Sequence, residues 1–207
     1  MLADGDLGSL PREKQVAAVA VAPERLALVR KVFPHLGVVG ETIPVPVEVH
    51  YDPPGACGLD RVMAVVGAMH RLTNADGVLV LEAGTCLTAT VGHRERGVLG
   101  GAILPGYGLM LSSLADGTAA LPRLEPVLPE GDAIGRSTEA SIRSGCWSAQ
   151  VGAARELIAR FRAECDFDLR VVAAGTGAGA LARAVQEIDL VHPFATLWGV
   201  YLAVNPN

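Results

Sequence analysis

Short apolar runs cut by glycine and proline alternate along the chain with longer stretches whose apolar residues recur every three or four positions. Residues 1–15 are polar and unpatterned, which predicts a frayed arm or loop. QVAAVAVAP (15–23) sets β-branched valines among alanines and stops at Pro23, the pattern of a buried strand. PERLALVRKVFP (23–34) gathers Leu26, Val29, Val32 and Phe33 on one helical face. The alternating valines of PVPVEVHY (44–51) predict a strand whose prolines lie near its start, where a missing donor costs least. After a turn-rich loop (52–59), DRVMAVVGAMHRL (60–72) predicts a helix with Asp60 near its N-terminus.

GVLVLEAGTCLTATVG (77–92) reads as two strands hinged at Gly84, and GVLGGAILPG (97–106) as a third. LMLSSLADGTAAL (109–121) is helical in period, and 122–135, with three prolines, is loop. Residues 137–165 read as a long or broken helix that Ser137 or Thr138 can cap, with Glu139 nearby. A strand (169–175), a helix (179–188), a short strand (189–193) and a closing helix (194–204) complete the chain. Three strands leading a helix–strand alternation predict a layered α/β architecture with a mixed sheet. No tandem repeat or low-complexity tract interrupts it.

Half of the 207 residues are hydrophobic and 19% are charged, enough to bury a sizeable core. A formal net charge of −5 and 4% aromatics argue against a nucleic-acid partner. No apolar run reaches the roughly 18 residues a bilayer requires, and the first residues lack a basic-then-apolar leader, so the expectation is a cytoplasmic chain without membrane contact. Cys57, Cys86, Cys146 and Cys165 lie far apart, without metal-ligand spacing or a disulfide framework.

Five segments could carry chemistry, and each has an ordinary structural reading beside the functional one. In LEAGTCLTATVG (81–92), Gly84 permits close backbone approach to an anion and Glu82 could bind a cation; a plain hairpin turn fits as well. In GVLGGAILPGYGLM (97–110), Gly100 and Gly101 inside a strand require a bulge or a close approach, and Gly106 and Gly108 flank a helix start that favours anions. In HYDPPGACGLDR (50–61), Asp60 can take a proton from a hydroxyl and Arg61 can grip a carboxylate or phosphate, although acidic residues at helix starts are common. In IGRSTEASIRSG (134–145), Ser137 and Thr138 could bond a ligand or cap the helix. AAGTGAGAL (173–181) is a strand entering a Gly-rich turn and helix, a weak nucleotide signal by itself.

Together, in order and spacing, these segments resemble the type III pantothenate kinases. Tyr51 through YDPPGACGLDR is similar to that family's Tyr…G-x-D-R element, AGTCLT to its D-x-G-T-x-x-T turn, and GVLGGAILPGYGLM to its G-G-x-I-x-P-G stretch. IGRSTEASIRSG resembles its T-x-x-x-x-x-x-G helix start, and VVAAGTGAGAL…TLWGVYLAVN its last strand and closing helix. The resemblance covers roughly residues 15–207. It implies an actin-like (ribonuclease H-like) two-lobed fold with mixed sheets, residues 1–76 forming a truncated first lobe and 77–207 the second. It implies transfer of the ATP γ-phosphoryl group to pantothenate, the opening step of coenzyme A synthesis, assisted by Mg2+ and a monovalent cation (K+ or NH4+). Homodimers with active sites near the subunit interface are expected. Residue by residue, Asp60 resembles the proton acceptor; Tyr51, Gly58, Leu59, Arg61 and Thr138 resemble pantothenate-binding positions; Gly84 and Thr85 resemble ATP contacts; Glu82 stands at the cation-binding aspartate.

The chain departs from the family pattern in three places. An opening apolar strand running into D-x-G-N-T/S is not found; the nearest segment is Asp6-Leu7-Gly8-Ser9. Glu82 replaces aspartate, which moves a bound cation by about one C–C bond, on the order of 1.5 Å. Ala174-Gly175-Thr176 replaces Thr-Gly-Gly. A truncated first lobe would expose a sheet edge that seeks a partner. The alternative reading is a non-catalytic or regulatory paralogue that has lost ATP phosphate binding; another kinase of the actin-like superfamily is a third.

Overall fold

A computed structural model describes residues 16–129 and 133–206. Its centre is β3 (Gly77–Ala83), in which every residue but Glu82 is buried. β4 (Cys86–His93) and β5 (Gly97–Pro105) extend the sheet antiparallel on one side of β3. β6 (Leu169–Ala174) and β7 (Leu190–Val191) extend it parallel on the other, in the order β5-β4-β3-β6-β7. Three antiparallel strands followed sideways by two parallel ones form the mixed sheet that the element order predicts, in accord with the actin-like, ribonuclease H-like lobe that the family resemblance implies.

The period of two along β3 divides the core. Val78 and Val80 face a cluster with Val62, Met63 and Val65 of α2 (Leu59–Arg71) and Ala195 and Val200 of α6 (Ala195–Val204). Leu79 and Leu81 face the opposite cluster, with Ala154 and Ile158 of α4 (Thr138–Glu164) and Leu181 of α5 (Ala178–Ala184). α3 (Tyr107–Gly117) and the start of α4 share a smaller core around Tyr107, Leu111, Ile142 and Cys146.

Two glycines allow α2 and α6 to cross at backbone contact. A Cβ at Gly67 would stand 2.1 Å from the Ala195 carbonyl oxygen, and one at Gly199 would stand 1.9 Å from that of Met63. The outer side of α6 leaves Phe194, Leu197 and Tyr201 exposed, with Trp198 stacked on Tyr201.

The N-terminal part is thinner. β1 (Ala17–Ala18) and β2 (Gly37–Val38) pair in parallel, joined by α1 (Pro23–Val32). Leu26, Val29 and Val32 pack with Phe33, Leu36 and Val38, as the helical period predicts. The strand expected over 15–23 is confined, within the described residues, to Ala17–Ala18. The strand expected over 44–51 does not form: Pro44 and Pro46 cannot donate to a ladder, and only Val49 bridges, to Val98. There Val98 N donates to Glu48 O and His50 N to Val98 O, both at 2.8 Å. β2 is too short to leave a period in the sequence. All four cysteines are free. Among the described residues no helix is long and apolar enough to cross a membrane.

Because neither glycine at the crossing can accept a methyl group without moving backbone, Gly67→Ala and Gly199→Ala should each destabilise the chain by roughly 1–3 kcal/mol. Thermal unfolding followed by circular dichroism checks this as a melting temperature lowered by several degrees.

Candidate functional site

A cavity of about 650 Å³ opens where the β3–β4 turn, the start of α3, the β6–α5 turn and the middle of α4 meet. Gly84 and Thr85 line it from the turn, Tyr107 and Gly108 from α3, Thr176 and Gly177 from the β6–α5 turn. These turns are stitched by backbone: Gly106 N donates to Thr85 O at 2.9 Å and Gly177 N to Ala83 O at 2.9 Å. A side chain at Gly106 would collide with the carbonyl oxygens of Gly84 and Thr85, at 2.3 and 2.6 Å from its Cβ, so glycine is needed for this closure. No side chain caps α3, whose first residues line the cavity, so the positive end of its dipole borders this space. Pro126 and Leu128 roof the cavity on a strap that Tyr107 and Arg143 hold. The Tyr107 hydroxyl donates to Val127 O at 2.9 Å, and Arg143 Nη1 donates to Val127 O and Glu125 O at 2.7 and 2.6 Å.

A second set of groups gathers at the start of α2 and the end of β3. Arg61 is 4% exposed. Its Nε donates to Thr90 Oγ1 at 3.0 Å and its Nη1 to the Tyr51 hydroxyl at 3.2 Å, while Nη2 is buried without a partner. The guanidinium carbon also lies 5.8 Å from the centre of the Tyr51 ring. Arg61 reaches this place because Gly101 carries no side chain: a Cβ there would meet Arg61 Nη2 at 2.9 Å and the Ala89 carbonyl oxygen at 1.8 Å. Gly101 thus serves a close approach, whereas Gly100 faces open space and is required by its φ of +134°, next to a register shift between Val91 and Gly92.

Asp60 is half-buried in the first turn of α2, its Oδ1 accepting from Arg61 N at 2.9 Å. Gly58 is the N-cap residue, and Leu59 opens the helix and packs on the core. Glu82 Oε1 accepts from Thr196 Oγ1 at 2.8 Å and Oε2 from Thr88 Oγ1 at 3.5 Å. Burial pushes the Glu82 carboxyl above the ordinary carboxylate range, and the Asp60 charge pushes the same way; the Thr196 and Thr88 hydrogen bonds and the Arg61 charge oppose this. Burial likewise pushes the Cys57 thiol up beside Arg61 and Asp60. Asp60, Arg61 and Glu82 therefore share one electrostatic neighbourhood, two residues along β3 from Gly84.

The predicted residues thus fall into three places. Tyr51, Gly58, Leu59, Asp60, Arg61 and Glu82 cluster around the α2 start; Gly84 and Thr85 line the large cavity; Thr138, exposed at the head of α4, lines a separate shallow depression with Arg136 and Ser137. Ser137 caps α4, its hydroxyl accepting from Ala140 N at 3.1 Å. Among the described residues no three His, Cys, Asp or Glu side chains converge as a metal cage. Reading the sequence missed Thr90 and Thr196, whose partners are distant in the chain, and Gln150 in the cavity wall. Gln150 did leave a signal, as the one polar residue in the buried i, i+4 stripe Ile142, Cys146, Gln150, Ala154, Ile158.

Comparison with known proteins places the chain among kinases. The family model for type III pantothenate kinase matches residues 8–160, and the chain belongs to that family. A protein of Geobacillus sp. (strain WCH70) named type III pantothenate kinase is 29% identical over 204 residues, covering 98% of this chain and 77% of its own length. One of the same name from Geobacillus kaustophilus (strain HTA426) is 30% identical over 170 residues, which is 82% of this chain and 65% of that relative. A solved Campylobacter jejuni structure, described as of the Baf family of transcriptional activators, shares the fold: TM-score 0.62, 16% identity, 97% of this chain and 86% of that one.

The raised proton affinity of Glu82 means that its charged form is disfavoured by folding. Glu82→Gln should therefore raise the melting temperature at pH 7. The gain should shrink as the pH falls through the folded value and vanish below the ordinary 4.5, where the parent carboxyl is neutral in both states. Melting curves of both proteins across pH 4–8 check the sign.

Proposed function

We propose that this chain phosphorylates pantothenate to 4′-phosphopantothenate with ATP, the first step of coenzyme A synthesis. The observation that carries the reading is the shared neighbourhood of Asp60, Arg61 and Glu82 beside a strand that runs directly into the glycine turn of an anion-ready cavity. Phosphoryl transfer is mostly positioning and charge neutralisation, and these are the parts it needs. Gly84, Thr85 and the open amides of α3 cradle the phosphates. Arg61, held by Thr90 and Tyr51, supplies positive charge toward the carboxylate of pantothenate. Asp60 accepts the proton of the pantothenate hydroxyl, whose oxygen bonds to the γ-phosphorus as the bond to the ADP oxygen breaks.

The residues fit a cation. Glu82 is half-buried within reach of the Asp60 charge, so its own charge lacks full compensation, and two threonine hydroxyl oxygens adjoin it. Glu82 would hold the monovalent cation, and Mg2+, which needs few protein ligands, would be brought by ATP. The cations would neutralise charge developing on the transferred group.

The reading divides the chain into a first-lobe part (1–76) and a second lobe (77–207), with α2 docked on α6 across the division. It also includes a homodimer in the cytoplasm, where ATP is at hand. The separation of Thr138 from Tyr51 and Arg61 within one chain supports a site completed by a second copy. A second reading, pantothenate binding without catalysis, is favoured by the Thr196 hydrogen bond and the burial that weaken Glu82 as a cation ligand.

Purified chain supplied with ATP, Mg2+, K+ and pantothenate should yield phosphopantothenate by mass spectrometry; a folded protein giving none overturns the kinase reading. Asp60→Asn should lower the rate by roughly 10²–10⁴-fold, with pantothenate binding retained by calorimetry. Pantothenate binding without ATP binding by the parent chain would select the second reading.

A further inference from the structure

We infer that Gln150 is the residue that reads the base of a nucleotide in the large cavity, making the site selective for adenine. The inference rests on the proposal that triphosphate lies at Gly84 and Thr85. It starts from an anomaly in α4. Gln150 is 4% exposed, lines the cavity, and its Oε1 has no hydrogen-bond partner. The other members of its stripe are apolar or sulfhydryl, so packing alone would favour an apolar side chain here. A buried amide oxygen without a partner costs free energy that an occupant can return.

The surroundings specify the occupant. Trp147, three residues earlier on α4, presents its indole to the same cavity, braced edge-on by Tyr107 with ring centres 5.9 Å apart and planes at 86°. Pro126 and Leu128 supply an apolar roof. Flat aromatic and apolar walls with one hydrogen-bonding amide fit a planar heterocycle. The phosphate-ready turn and the α3 start border the same space, so base and phosphates have separate places within one cavity of about 650 Å³. A glutamine amide offers an acceptor and a donor side by side. Those groups match the exocyclic amino group and neighbouring ring nitrogen of adenine.

Calorimetric titration of the full chain with ATP, GTP and inorganic tripolyphosphate tests this. The parent should bind ATP more tightly than GTP or tripolyphosphate. Gln150→Leu, close in size, should weaken ATP binding by about tenfold or more and leave tripolyphosphate unchanged. Gln150→Glu, an acceptor only, should shift the preference toward GTP, whose base offers adjacent N–H donors. Circular dichroism melts establish that each variant folds, and the ATP-to-tripolyphosphate comparison in the parent needs no variant. Equal affinity of the parent for ATP and tripolyphosphate, or unchanged ATP binding in Gln150→Leu, overturns the base-reading role alone. A parent that binds neither overturns the phosphate site and this inference with it.

Discussion

The contact between α2 and α6, closed to backbone distance by Gly67 and Gly199, is the constraint on which the site depends. α2 carries Asp60 and Arg61 in its first turn, and α6 carries Thr196. Both helices pack on the same face of β3, so their separation fixes where Thr196 meets Glu82 and where the α2 start stands relative to the strand end. A wider crossing would shift one partner of each pair. Interiors are close-packed, and such a shift has no soft direction in which to relax.

The guanidinium of Arg61 shows what this rigidity holds in place. A buried cation whose direct partners are neutral hydroxyls, with one nitrogen left over, is unfavourable in isolation. Carboxylates at Asp60 and Glu82 supply opposite charge nearby; the Arg61 charge in turn lowers the proton affinity of Glu82, which burial and the Asp60 charge raise. The cluster therefore stands as one coupled set of charges, the kind of perturbed arrangement that marks candidate functional sites.

Much of this was legible in the chain. The continuous apolar run of GVLVLEA and the helical period of DRVMAVVGAMHRL identify β3 and α2 because the strand buries both faces and the helix one, and burial is what hydrophobic patterning reports. The paired glycines of β5 announced a close approach whose object, Arg61, could not be named because the contact joins residues far apart in sequence. The same holds for Thr90 and Thr196: nothing local to a threonine says which distant carboxylate or guanidinium it will meet. The valines of PVPVEVHY misled, since alternation describes faces and not donors, and two prolines removed the donors a ladder needs. Gln150 was visible only as an exception to a rule, one polar side chain on an apolar stripe.

The chain contains two tryptophans, and the fold sends them to unlike surroundings. Trp147 stands half-buried at the cavity wall against Tyr107, while Trp198 lies on the outer side of α6, stacked on Tyr201 at 5.2 Å. The intrinsic ultraviolet emission of this protein is consequently the sum of two reporters, one sensing what fills the interior recess and the other what covers the terminal helix, and replacing either indole leaves a single-colour optical probe of the opposite surface.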